Sequence, residues 1–134
     1  MTYPTRIRSN PHLQFIVIVN PNSGPGAPPW WPNSDYVREV PKLNEYSNVC
    51  TLGYIRIDYC RRPLQDAMGE IAAYGRWPAD TTDPEVFVRG IFFDETPNHH
   101  DRHAAEYLAQ LSAEVHKSNG LSKPHMVSHH PCPS

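Results

Sequence analysis

The sequence predicts an α/β fold built on a parallel sheet, and three observations predict it. Three apolar, β-prone runs fall at 13–19, 48–57 and 86–95. Each precedes a stretch of helical periodicity, and the connections are long enough for crossover helices. The order β-α-β-α-β-α then implies parallel strands with right-handed crossovers. The run at 86–95 is dense in Val, Ile and Phe, which suits a strand buried on both faces. It stops on adjacent carboxylates, Asp94 and Glu95. Ligands bind at the carboxyl ends of parallel strands, so these two acids are the leading candidates for a site.

Residues 1–12 read as the end of a helix or a ragged lead-in. Residues 13–19 form the first strand, apolar on both faces, and end in Asn20-Pro21-Asn22-Ser23-Gly24-Pro25-Gly26. Gly and Pro force a turn there, and the asparagines can bond their own backbone. The next loop carries Trp30 and Trp31. Ser34 or Asp35 can cap a helix over 35–46, with Tyr36, Val37, Val40 and Leu43 near helical spacing. Pro41 costs that helix stability unless it starts or kinks there.

The second strand, 48–57, is interrupted by Gly53. Pro63 fits the first turn of a helix whose stripe is Leu64, Ala67, Met68, Ile71 and Tyr74, ended by Gly75 and Trp77-Pro78. After the third strand, Thr96-Pro97-Asn98 breaks the run. A last helix spans 99–117, burying Ala104, Tyr107, Leu108, Leu111 and Val115. The pattern dissolves beyond Gly120, so the domain is placed at 1–117 and a disordered tail at 118–134.

The chain is one domain long, at 134 residues, and 39% hydrophobic. A net charge of −2 gives no reason to expect nucleic acid or an anionic membrane as partner. No apolar run approaches the roughly 18–20 residues of a spanning helix, and no signal-peptide core opens the chain. The 15 prolines cluster at 21–32 and 124–133, marking loops and a tail. With three cysteines, at least one is unpaired. Cys50 and Cys60 flank an extended strand and would lie about 30 Å apart, far beyond disulfide reach.

Three segments in register then become specific: residues 15–26 (FIVIVNPNSGPG), 51–56 (TLGYIR) and 90–95 (GIFFDE). With Arg62-Pro63 before a helix and Trp77 closing it, they resemble the spherulation-specific family 4, or spherulin-4-like, proteins over roughly residues 10–115. The resemblance implies a TIM-type (β/α)8 barrel, of which this chain supplies about the first half. It also implies a glycoside hydrolase acting on galactosamine-containing polysaccharide. Family relatives are commonly secreted or cell-surface proteins. Mapped onto this chain, the catalytic acids are Asp94 and Glu95. Asn20 and Asn22 sit on the loop after a barrel strand, and Tyr54, Arg56 and Tyr59 line the next strand's end as substrate-binding residues.

The chain departs from the family in supplying three strands where a barrel needs eight, and in lacking a strand upstream. The family carries another acid on a later strand, whereas no Asp or Glu follows Glu114 here. The tail 118–134 does not resemble the family. A non-catalytic, carbohydrate-binding or cell-surface fragment is therefore the rival reading, and self-association through open sheet edges is a further expectation.

Glycoside hydrolysis usually takes two carboxyl groups flanking the scissile bond. Adjacent strand residues point to opposite faces, so Asp94 and Glu95 can share a pocket only where the strand ends. The plain alternative has Asp94 capping the next helix and Glu95 solvated. The turn at 20–26 lacks the Gly-Lys-Ser/Thr of a phosphate loop. Trp30 and Trp31 can stack on sugars, but such a pair more often packs a loop. His99 and His103 lie one helical turn apart, yet zinc needs three or four convergent ligands, and His125, His129 and His130 belong to the tail. No metal and no cofactor are expected.

Overall fold

The computed structural model describes residues 9–26, 34–99 and 101–118, together with the backbone of 126–127. The elements are β1 (Phe15–Val19), α1 (Ser34–Asn44), β2 (Val49–Arg56), a tight turn at Asp58–Cys60, α2 (Leu64–Asp80), β3 (Gly90–Asp94), α3 (Arg102–Lys117) and β4 (Met126–Val127). The sheet runs in chain order, β1-β2-β3-β4, and every pairing is parallel. The βα units expected from the apolar runs are therefore present. A fourth strand, β4, lies inside the segment that the sequence sets apart as a tail.

Side-chain alternation along the strands divides the sheet into two unlike faces. Val19, Ile55, Ile91 and Phe93 join Val40 of α1, Ile71, Tyr74 and Trp77 of α2, and Leu111 and Val115 of α3 in the main core. The opposite face carries Ile16, Ile18, Leu52, Tyr54, Arg56, Phe92 and Asp94. On that face Leu52 packs with Cys50 and Phe92, while Ile16 and Ile18 stay 44% and 40% exposed. β1 is apolar on both faces, as the sequence reads, but its two faces are covered unequally. Helices cover one of its faces, and among the described residues β1 lies at the edge of the sheet.

Gly53 explains its own place in β2. A Cβ there would lie 2.8 Å from the Tyr74 ring, closer than real Cβ contacts allow. The space lets Tyr74 lie against the strand and donate from its hydroxyl to the Tyr54 carbonyl at 2.8 Å. The same hydroxyl lies 3.3 Å from the Val19 carbonyl, so α2 is fastened where β1 and β2 end.

The third strand begins at Gly90 and not at residue 86. Val86 and Val88 are fully buried, but the backbone before Gly90 finds partners outside the ladder. The Asn44 side chain, at the end of α1, donates to the carbonyls of Glu85 and Phe87, both at 2.9 Å. Ladder bonding with β2 starts as Arg89 N–H reaches the Thr51 carbonyl at 2.7 Å. Two helix boundaries also shift. α2 runs past Gly75 and Trp77-Pro78 to Asp80. α3 starts at Arg102, capped by Asp101, whose carboxylate accepts from Ala104 N–H at 2.8 Å. Cys60 is free and buried, in keeping with the geometry that separates it from Cys50.

Candidate active site at the carboxyl ends of the strands

Polar side chains gather where β1, β2 and β3 end. Arg56 and Asp94 are register partners across β2 and β3, so both project from the face away from the helices. Tyr54 stands two residues before Arg56 and shares that face. Its hydroxyl donates to Asp94 Oδ2 at 2.6 Å. The other carboxylate oxygen, Oδ1, accepts from the backbone N–H of Glu95 at 2.8 Å. Both oxygens of Asp94 are therefore held. Asp94 does not cap the next helix, a task done by Asp101.

Glu95 has a φ of 63°, a left-handed conformation that costs a residue with a Cβ roughly 1–2 kcal/mol. That turn breaks strand alternation and frees Glu95 from the face opposite to Asp94. Its Oε1 accepts from Arg56 Nη1 at 3.1 Å. Arg56 Nη1 also lies 3.9 Å from Asp58 Oδ1. The two neighbouring acids are thus secured by the two β2 residues, Tyr54 and Arg56, that the sequence names beside them.

The loop after β2 is tightly wound. Asp58, Tyr59 and Cys60 have φ values of 50°, 56° and 67°, three consecutive left-handed residues without a glycine. Such backbone persists where its surroundings over-determine it, commonly at functional sites. Here Tyr59 N–H donates to the Glu95 carbonyl at 2.7 Å, locking this loop to the end of β3. Tyr59 itself is half exposed, with the Arg61 guanidinium 5.6 Å from its ring centre. This strained turn is invisible to sequence reasoning, which has no glycine to point to it.

Asn20 and Asn22 follow β1 at the same end of the sheet. Asn20 Oδ1 accepts from Gly24 N–H at 3.0 Å, so its carbonyl oxygen closes the turn. Asn22 is exposed. Behind these loops stands a pair, Arg62 and Glu70, that nothing in the sequence pattern brings together. Arg62 makes a two-pronged contact with Glu70, both bonds at 2.9 Å, and also donates to the Arg56 carbonyl at 2.8 Å. Glu70 in turn fills the space where a Gly24 side chain would sit, 3.0 Å from an ideal Cβ. Arg62 and Glu70 therefore link the loops after β1 and β2.

The Tyr54 phenol is pushed up to about 12, first by its hydrogen bond to Asp94 and then by desolvation. It stays protonated and donating across the neutral range. Among the described residues no group of three His, Cys, Asp or Glu could hold a metal ion. His103 Nε2 donates to the Cys60 carbonyl at 3.0 Å. Trp30, Trp31, His100, His125, His129 and His130 lie outside the described residues. No described helix is long and apolar enough to cross a membrane.

Parallel strands in chain order, helices on one face and polar groups at the carboxyl ends define an open part of a TIM-type (β/α) barrel. The chain belongs to the spherulation-specific family 4, which it matches over residues 3–132. That span includes most of the segment that the sequence sets apart as a tail. The fold is similar to Aspergillus clavatus Sph3, whose crystal structure holds GalNAc. The TM-score is 0.88 at 39% identity, covering 94% of this chain and 50% of that one. Spherulin-4 of Physarum polycephalum is 32% identical over 84 residues, which are 62% of this chain and 22% of that protein. The chain spans about half the length of the Sph3 chain and less of Spherulin-4.

Proposed function

We propose that this chain carries the acidic part of a glycoside hydrolase site for a galactosamine- or N-acetylgalactosamine-containing polysaccharide. The observation that carries the reading is the union of Asp94 and Glu95 at the end of β3. It occurs in a chain whose fold matches Sph3, a protein crystallised with GalNAc. Asp94, held at both oxygens, is suited to orient or stabilise the reacting sugar. Glu95 is held by Arg56 through one oxygen, which leaves its other oxygen to face the sugar, and one of the two acids donates the proton while the other positions the reacting ring. If the sugar carries an N-acetyl group, its own carbonyl can assist the displacement, a known exception to the two-carboxylate scheme. Tyr54 and Arg56 orient the acids, while Asn22 and the half-exposed Tyr59 are available to sugar hydroxyls and ring faces.

A galactosamine polymer incubated with the chain should release reducing ends, and Asp94→Asn or Glu95→Gln should abolish the release. Wild-type turnover no greater than that of either variant rejects the proposal. The second reading, carbohydrate binding without hydrolysis, is favoured by the openness of the strand face at Ile16 and Ile18. GalNAc binding that persists with no turnover would establish it.

A further inference from the structure

β2 runs on to Arg56 after β1 has stopped at Val19, opposite Gly53. Tyr54 and Arg56, the residues that hold the two acids, both lie on this overhang. In the ladder Phe15 N–H takes the Asn48 carbonyl and Arg89 N–H takes the Thr51 carbonyl, both at 2.7 Å. Even-numbered carbonyls of β2 therefore face β1, and odd-numbered ones face β3. Counting by twos from Phe15, the donor due at the Tyr54 carbonyl is residue 21, a proline, which has no N–H. The donor due at the Arg56 carbonyl is Ser23, whose φ of 52° has already turned the chain out of the strand. Two side chains stand in for the missing ladder. The Tyr74 hydroxyl donates to the Tyr54 carbonyl, and Arg62 Nη1 donates to the Arg56 carbonyl, each at 2.8 Å.

We propose that Tyr74 and Arg62 are positioning residues for the two acids, each fixing the β2 residue that holds one of them. Tyr74 acts through Tyr54 on Asp94, and Arg62 acts through Arg56 on Glu95. Each is anchored in its turn. The Tyr74 ring is fully buried against Gly53. Arg62 is clamped by both oxygens of Glu70, and its own carbonyl accepts from the Tyr107 hydroxyl of α3 at 2.8 Å. A strand end without ladder bonds frays. A reacting group displaced by about 1 Å loses up to 10²-fold in rate, so these two bonds bear directly on the acids. The inference rests on the proposed function in taking Asp94 and Glu95 as the reacting acids, but it is read without sugar.

Carbon-13 NMR of the labelled chain reads both arms. Wild-type Tyr54 should stay mostly protonated at about pH 11, between the ordinary tyrosine value and its own of about 12. In Tyr74→Phe its ring signal should move to the ionised position at that pH, because the loosened overhang gives up the Asp94 bond. The Glu95 carboxyl signal, assigned by its loss in Glu95→Gln, should move in Arg62→Lys, whose ammonium lacks the planar fork that meets Glu70 and the Arg56 carbonyl together. Glu70→Gln, which unclamps Arg62, replaces Arg62→Lys if that variant does not fold, and the Glu95 arm decides alone if Tyr74→Phe does not. A purely structural role would lower the unfolding midpoint and leave both signals of the folded chain in place. Either signal unmoved in a folded variant therefore overturns the proposal. With a galactosamine polymer, each variant should lower kcat by on the order of 10-fold or more and change KM little. A wild type without turnover sinks the hydrolase reading and leaves the two signals to decide this one.

Discussion

The Tyr54 hydroxyl donates to Asp94 Oδ2 across 2.6 Å, joining the second strand to the acid that ends the third. This bond lifts the Tyr54 phenol to about 12, against about 10 for a free tyrosine. A group whose folded value is raised gives its stability in full below its unfolded value and loses it as pH climbs through the folded one. The stability due to Tyr54 should therefore be complete below about pH 10 and gone above about 12. Tyr74 and Tyr107 are raised as well, chiefly by burial, so the wild type loses stability across an overlapping range. Urea melts of wild type and Tyr54→Phe, compared at neutral and alkaline pH, isolate the Tyr54 share. The gap between them should narrow as pH rises, and a constant gap would refute the assignment.

A methyl group at position 53 would collide with the Tyr74 ring at 2.8 Å. The Tyr74 ring is fully buried and Gly53 is paired with strands on both sides, so one of them has to shift. Gly53→Ala should cost about 1–3 kcal/mol, the usual penalty for overpacking. Tyr74→Phe should cost about 1–3 kcal/mol by a different route, taking the tyrosine donor from the part-buried Tyr54 carbonyl. Chemical denaturation measures both. The double variant should fall short of the sum, because both changes act on one contact.

Arg62 and Glu70 are eight residues apart, yet their side chains meet in two parallel bonds while only 21% and 25% exposed. Charge-assisted bonds of this kind contribute about 1.5–3 kcal/mol. Glu70→Gln should destabilise the chain by that order. It should also loosen the turn at Gly24, against which the carboxylate packs. Amide exchange at Gly24, whose N–H is bonded to Asn20, should quicken in the variant. Unchanged exchange there would confine Glu70 to a role within its own helix.

What the sequence makes legible, and what it hides, follows from the range of the interactions. The apolar runs and the acids ending the third are local signals, and so is the spacing of two between Tyr54 and Arg56 that puts both on one face. The start of β3 is hidden because the backbone before Gly90 is satisfied by Asn44, a side chain from a distant helix. Val86 and Val88 look like strand because they are buried, although no ladder holds them. The exposed face of β1 is hidden for the opposite reason. Ile16 and Ile18 are as apolar as the residues between them, and only the layer above them decides which are covered. The Arg62–Glu70 pair and the left-handed run at 58–60 leave no periodic trace at all.

Glu95 offers the sharpest test of the site, because its backbone and its carboxylate make opposite demands. A φ of 63° is unfavourable for glutamate and free of penalty for glycine. Glu95→Ala and Glu95→Gly both delete the carboxylate and its contact with Arg56, so any difference between them reports the backbone alone. The glycine variant should be the more stable by about 1 kcal/mol in urea denaturation. Both should lack hydrolytic activity. If so, the chain retains a residue that strains its fold, in the place where chemistry needs an acid. Equal stability of the two variants would show that the left-handed turn relaxes once the Arg56 contact is gone, making the ion pair, rather than the loop, the feature that holds Glu95 beside Asp94.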